Sequence, residues 1–261
     1  MLRSLKLCFV ALTIISTLTS CFDTVEEFTF NDDGSGSYSM KVDMIKMFEM
    51  MGSMLNDSSF GGGSKDQTVD STWSMQKDID AAQNLSSEEK NFFRNGQTHL
   101  EVNLPTKKMY FQFDMPFKNQ SDFQKYYPNT PKALSNLKSD EKKSADDSTS
   151  SGSMGGFNLT PKGDATAVNQ FFDIKSGQGF FERKIKKEEL KKYFESDSMM
   201  TQMKPMLGNV YCSTILHFQR PVKSVSNPYA TISDDKKTVT FKFPFSDYTE
   251  RPEVFNFRIE Y

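Results

Sequence analysis

The chain has 261 residues, with 32 basic and 34 acidic side chains and a formal charge of −2 at pH 7. That balance lacks the basic excess expected of a nucleic-acid-binding surface. Its 24 phenylalanines and 15 methionines supply apolar surface for a substantial core, in one large domain or two small ones.

The first segment reads as a secretion signal. Arg3 and Lys6 carry positive charge, Leu7 to Leu18 run almost continuously apolar, and small residues follow. An apolar run of that length is too short to span a bilayer, which needs roughly 20 residues. The segment ends in Leu18-Thr19-Ser20-Cys21, which resembles the lipobox of bacterial lipoproteins. The resemblance implies a signal peptide over 1–20, cleavage before Cys21, a diacylglyceryl group on the Cys21 thiol, and a fatty acyl group such as palmitate on its new amine. Stable attachment generally takes two acyl chains at about 0.8 kcal/mol per buried methylene, and Cys21 would carry two or three.

Removal of residues 1–20 takes Arg3 and Lys6 with it, so 241 residues remain and the formal charge moves from −2 to −4. Cys8 leaves with the signal and Cys21 is committed to lipid. Only Cys212 is left, so the lipidated chain has no internal disulfide and must rely on packing. Cys212 falls on the apolar side of the alternating run 210–218 and reads as a small buried hydrophobe.

In chain order, Phe28-Thr29-Phe30, the turn Asn31-Asp32-Asp33-Gly34-Ser35-Gly36 and the alternating Ser37 to Val42 predict a β-hairpin, its first strand starting within seven residues of Cys21. Met44, Met47, Phe48, Met51 and Leu55 then recur with a helical period, and a Gly/Ser loop covers 56–66. Trp73, Met75 and Ile79 mark a segment of less definite type. Ser86-Ser87-Glu88-Glu89 has capping-box spacing and predicts a helix through Phe92 and Phe93. Alternation over 99–104 and 109–115 predicts two strands with one covered and one wetter face. Around 123–137, Pro128 and Pro131 predict a broken helix.

Residues 138–162 are polar, charged and Gly/Ser rich, which predicts a disordered linker between an N-terminal half (21–137) and a C-terminal half (163–261) of one sheet-sharing unit. The second half predicts a hairpin over 171–185, and a helix from Lys187 that carries Leu190, Tyr193, Phe194, Met203 and Leu207. Strands are predicted at 210–219, 222–232, 238–245 and 253–261. Gly34, Gly36, Tyr38 and Lys41 match Gly177, Gly179, Phe181 and Lys184 at a constant offset of 143, which raises the question of two duplicated hairpin-helix-strand halves. The expected fold is α+β, with antiparallel sheet covered by helices on one face.

The hairpin Gly34 to Met44 and the late run Phe218 to Asn227, followed by Lys236-Lys237-Thr238-Val239, resemble uncharacterised Bacteroidota lipoproteins and, more loosely, the LppM-type lipoprotein domain. The resemblance implies an α+β envelope domain and transfers no catalytic residue. Asp23, Glu26 and Glu27 weakly resemble the acidic surface-export signals of Bacteroidota lipoproteins. Phe22 stands where an inner-membrane retention aspartate would stand, so the outer membrane is preferred, with the leaflet open.

Beyond Cys21 the residues carry little chemistry. His99 and His217 fall on the wetter faces of their strands, and no GxSxG, HExxH, paired-cysteine or phosphate-loop motif is present. No catalytic residue, cofactor, metal or nucleotide is therefore expected. Asn31 to Ser35 cluster oxygens but lack the closing glutamate of a calcium loop, and a hairpin turn needs such residues anyway. The interspersed charges of 184–192 read as a solvated helix face rather than a lipid contact. The expectation is a noncatalytic, lipid-anchored envelope protein with a structural or interaction role and an envelope protein partner. A binding module for an apolar ligand, lipid or partner segment is the alternative, and a hydrolase with dispersed carboxylates the third reading.

Overall fold

Two facing β-sheets and a set of short helices enclose one aromatic core. The fold is that of a computed structural model, which describes residues 23–45, 68–137, 153–154, 157–158, 167–196 and 210–261. Cys21, the helix expected from Met44 beyond its first two positions, the loop 56–66, and Met203 and Leu207 lie outside the described residues, as does the expected linker apart from 153–154 and 157–158.

The strands are β1 (Asp23–Phe30), β2 (Gly36–Asp43), β3 (Thr68–Ser74), β4 (Gln97–Asn103), β5 (Lys108–Phe117), β6 (Ser153–Met154), β7 (Phe157–Asn158), β8 (Phe172–Gly177), β9 (Phe180–Ile185), β10 (Tyr211–Phe218), β11 (Ser224–Val225), β12 (Thr231–Ile232), β13 (Thr238–Pro244) and β14 (Phe257–Glu260). The α-helices are α1 (Gln76–Ala81), α2 (Ser87–Phe93), α3 (Gln120–Tyr126), α4 (Thr130–Leu134), α5 (Lys187–Ser196) and α6 (Asp247–Glu250). The large sheet runs β12-β13-β10-β1-β2-β5-β4-β3 and the smaller one β11-β14-β9-β8, while β6 and β7 pair with each other. The α+β class is as expected. Among the described strands one pair is not antiparallel: β1 and β10 run side by side in parallel from Asp23↔Tyr211 to Phe30↔Phe218, joining strands from both sides of 138–162 in one sheet.

Local chemistry explains most boundaries. In the β1–β2 turn Gly34 has φ +85, and Asp33 Oδ1 accepts hydrogen bonds from the Ser35 amide and hydroxyl. The capping box is formed: Ser86 Oγ accepts from the Glu89 amide at 3.2 Å, and Glu89 Oε2 accepts from the Ser86 amide at 2.7 Å. The helix predicted to break does so, as α3, a 3₁₀ turn over Tyr127–Asn129, and α4, with proline in the first turn of the second and third pieces. The indefinite segment around Trp73 resolves into β3 and α1.

Two late expectations are corrected. The strand expected over 222–232 is two separate bridges, β11 on β14 and β12 on β13, because Pro221 and Pro228 lack ladder donors and the Asn227 amide turns inward to Val254 and Asn256 carbonyls at 2.7 and 2.9 Å. The strand expected over 253–261 starts as a 3₁₀ turn at Pro252–Phe255 and pairs only over β14, though Phe255, Phe257, Ile259 and Tyr261 are all buried as the alternation requires. The matched hairpins β1–β2 and β8–β9 lie in different sheets and turn differently. Gly34 and Gly179 hold positive φ, whereas their matches Gly177 and Gly36 do not.

The two sheets meet face to face over β1, β10 and β13. Phe181 of β9 lies 5.6 and 5.0 Å from the Phe28 and Phe30 rings, and Phe257 of β14 lies 4.3 Å from Phe241. Over β2 and β5 the same face is covered by helix instead, with Phe123 on Phe117 at 4.6 Å and Tyr127 on Tyr38 at 5.1 Å. Burial of each such ring contributes roughly 1.5–3 kcal/mol, and each well-placed aromatic pair about 0.5–1.5 kcal/mol more.

Candidate functional site

The described residues offer two places where polar chemistry is concentrated: a buried charge centre between the sheets, and the end of the large sheet at which β1 enters.

The buried centre is built by alternation. Thr24, Glu26, Phe28 and Phe30 share the covered face of β1, and Phe181 and Arg183 share that of β9, so a carboxylate and a guanidinium meet between the sheets. Arg183 is fully buried and Glu26 is 5% exposed; Arg183 Nη1 donates to Glu26 Oε2 at 2.8 Å. The second oxygen of Glu26 accepts from the hydroxyls of Tyr38 and Tyr127, each at 2.8 Å. Arg183 Nη2 donates to Thr214 Oγ1 at 3.0 Å, Asn169 Nδ2 donates to the Tyr38 oxygen at 2.8 Å, and the guanidinium stacks 4.3 Å from the Phe172 ring. Burial, then the charge of Glu26, pushes both tyrosines well above their ordinary range, so they remain protonated donors. Burial opposes the charge on Arg183, and Glu26, with Tyr127 and Tyr248, together outweigh it, leaving its pKa raised. Both charges are paired and the carboxylate accepts on both oxygens, while Arg183 Nε and Asn169 Oδ1 are buried without a hydrogen-bond partner; the cluster keys one sheet to the other.

Of the acidic residues that follow Cys21, Glu26 is thus spent inside the domain. Glu27 does face outward, bonded to His217 Nε2 at 2.6 Å, and His217 Nδ1 meets Thr238 Oγ1 at 3.1 Å. His99 Nε2 pairs with Asp70 at 2.8 Å. Cys212 is buried on the covered face of β10. Among the described residues, no group of three or more His, Cys, Asp and Glu side chains could hold a metal ion, and no helix is long and apolar enough to cross a membrane.

The entry end is fixed by register. Asp23 opens β1 two residues after Cys21, inside the seven expected, and lies opposite Tyr211 of β10, while Thr24 lies opposite Val42 near the end of β2. Asp43 lies opposite Tyr110 of β5, Lys108 opposite Asn103 of β4, and Pro244 opposite Tyr211. On the face turned away from the core, Lys41 Nζ sits 3.6 Å from the Tyr110 ring centroid and Lys242 Nζ 4.9 Å from that of Tyr211. Glu101 accepts the Tyr110 hydroxyl hydrogen bond, which together with burial pushes that phenol up to about 12, and it pairs with Lys108 at 3.7 Å. Lys41, Lys107, Lys108 and Tyr110 thus rim a recess of about 310 Å³ that Asp43 and Glu101 also line. At the opposite end, Asn31, Asp32, Gln178, Arg220 and Tyr261 line a smaller polar recess of about 140 Å³, across which Arg220 pairs with Asp32 at 2.8 Å.

Together these features define a two-sheet α+β domain locked by a buried ion pair, with a tyrosine-bearing rim of lysines and carboxylates beside its first strand. No family model and no curated protein matches the chain. Among solved structures it is similar, weakly, to the folded domain of the LppM protein of Mycobacterium tuberculosis determined by NMR, with a TM-score of 0.36 and 7% identity over 93% of this chain and 90% of that chain.

Proposed function

We propose that the chain is made as a lipoprotein precursor, cleaved before Cys21, and that the mature protein is a noncatalytic, lipid-anchored component of the cell envelope, on the outer membrane, with a structural or interaction role toward an envelope protein partner. The observation that carries the reading is the lipobox-like Leu18-Thr19-Ser20-Cys21 placed two residues ahead of β1. An anchor so close to the first strand attaches the sheet itself, rather than a tether, to the membrane. The noncatalytic part is supported by where the reactive side chains are spent. Both histidines are held by neighbouring side chains across the sheet, and the buried carboxylate is neutralised by arginine. Aromatic rings fill the space between the sheets, which supports an interaction role over an internal pocket for an apolar ligand.

Metabolic labelling with a fatty acid, compared between the wild-type chain and Cys21→Ser, tests the anchor. The label should appear on the wild type alone, and the variant should move from the membrane to the soluble fraction. Labelling of the Cys21→Ser protein would remove the proposal.

A further inference from the structure

We infer that β3 is a self-association edge: a second copy of this chain pairs with it antiparallel about Ser71 and continues the large sheet from one protomer into the other. This pairing does not depend on the lipid anchor. It follows first from how the two main sheets end. The smaller sheet ends on β11, of two residues, and on β8, where Gln124 of α3 receives the Ser176 amide at 3.0 Å. The large sheet ends on β12, of two residues, and on β3, of seven. Among the described residues, no backbone hydrogen bond reaches β3 from outside its pairing with β4. Thr68, Asp70, Ser71, Thr72 and Ser74 are exposed, and the run contains no lysine, arginine, proline or glycine. An edge of this length is normally blunted by such residues or by a covering element, and β3 has neither.

The direction of the free backbone groups fixes which residues can pair. The Met75 amide donates to the Gly96 carbonyl at 2.9 Å, which makes these two a hydrogen-bonded pair at the end of the β3–β4 ladder. Alternation along an antiparallel ladder then assigns the amides and carbonyls of Trp73, Ser71 and Val69 to β4, and turns those of Thr68, Asp70, Thr72 and Ser74 outward. A two-fold pairing about Ser71 sets Thr68 opposite Ser74 and Asp70 opposite Thr72, so every outward group meets an outward group. The side chains agree with the same register. Val69 lies opposite the partner's Trp73, and both residues are half-buried against the core. A β-branched residue against an aromatic one is a favourable cross-strand pair, and symmetry forms it twice. Asp70, held by His99 at 2.8 Å, faces threonine rather than its own charge. A slip of two residues one way sets Asp70 against Asp70, and the other way sets Trp73 against Ser71. This self-complementarity is what names a second copy as the occupant.

Cysteine substitution in the full chain tests the register. Ser71 faces itself across a non-hydrogen-bonded position with Cα atoms about 4.5 Å apart, so Ser71→Cys should give a disulfide-linked dimer under mild oxidation. Ser74→Cys is equally exposed but would hold its two sulfurs roughly 20 Å apart, and should stay unlinked. Analytical ultracentrifugation of the wild type should show a reversible dimer, with a concentration-dependent change in the emission of Trp73, the chain's single tryptophan. Thr72→Pro removes an outward donor from both copies, and Ser71→Lys sets like charges face to face. Each should weaken dimerisation on the order of tenfold or more, while circular dichroism of the dilute protein stays unchanged. Because Ser71 is an exposed side chain, Ser71→Lys carries the test even where Thr72→Pro disturbs folding. A wild type that is monomeric at every concentration overturns the inference, as do equal crosslinking of the two cysteine variants and a dimer that survives Ser71→Lys at full strength. A Ser71→Cys disulfide formed in cells with a different protein, and not with a second copy, overturns it as well.

Discussion

Arg183 brings a full positive charge to a position with no solvent-exposed surface, and Glu26 is what makes that tolerable. Removing one partner leaves the other charged and buried, so Arg183→Met should destabilise the fold by about 3–5 kcal/mol, whereas Glu26→Leu with Arg183→Met should cost clearly less than that single change. Urea unfolding of both proteins checks it, and a double variant weaker than Arg183→Met would show that the pair is not coupled. Tyr38 and Tyr127 make the centre sensitive to alkali. Their folded pKa values stand above the ordinary 10.0, so near and above pH 10 the unfolded chain loses protons that the folded chain keeps. The stability they contribute is therefore complete below about pH 10 and is lost as the pH rises beyond it. Stability measured from pH 8 to pH 11 should fall at the alkaline end, less steeply in Tyr38→Phe/Tyr127→Phe. Both halves of the ion pair were legible in principle, since Glu26 shares strand parity with Phe28 and Phe30, and Arg183 with Phe181. What parity could not reveal is that the two strands belong to facing sheets, because that contact spans 157 residues.

At the scale of elements, the parts most legible in the sequence are those decided by local chemistry. The capping box at Ser86, the proline breaks at Pro128 and Pro131 and the Asp-Gly turn each depend on residues within a few positions of one another. The segment 222–232 was misread because its alternation is real while its prolines and the inward Asn227 amide split the pairing between two sheets. Glu89 shows how a local motif acquires a longer reach, as its carboxylate caps α2 and also receives Lys132 of α4 at 3.1 Å. Glu89→Ala should therefore cost about 1–2 kcal/mol, at the upper end of a cap alone. Burial works against its ionised form, but the Ser86 and Lys132 contacts outweigh this and lower its pKa, so its contribution is present above the ordinary 4.5 and fades as acid protonates it. A loss in Glu89→Ala that is the same at pH 7 and pH 3 would contradict this assignment. Gly36 is the other sensitive point: a Cβ there would lie 2.0 Å from the Thr29 carbonyl oxygen and 2.4 Å from the Phe117 ring. Gly36→Ala should lower stability by about 1–3 kcal/mol, through overpacking rather than through backbone strain. Thermal unfolding beside Gly34→Ala, where nothing lies within 4 Å but φ is +85, would separate the two causes.

The whole molecule depends on joining two lengths of chain that the sequence separates. The parallel β1–β10 pair continues one sheet across the divide, the Phe28, Phe30 and Phe181 rings fill the layer beneath it, and Glu26–Arg183 pins the layers together. Parallel pairing has no turn to announce it and its partners are far apart, which is why an entirely antiparallel sheet was the natural reading of local alternation. If these contacts carry the architecture, covalent continuity through 138–152 is unnecessary once folding is complete. A protease site engineered into that stretch, cut after folding, should leave the two fragments co-eluting as one species in native gel filtration and separating only in denaturant. Cutting the same site in the Arg183→Met background should loosen the complex, because the buried carboxylate of Glu26 would then favour separation into water. Fragments that part under native conditions in the otherwise wild-type protein would mean that the halves are held by the connecting chain, and that the shared sheet and the buried pair contribute little to their union.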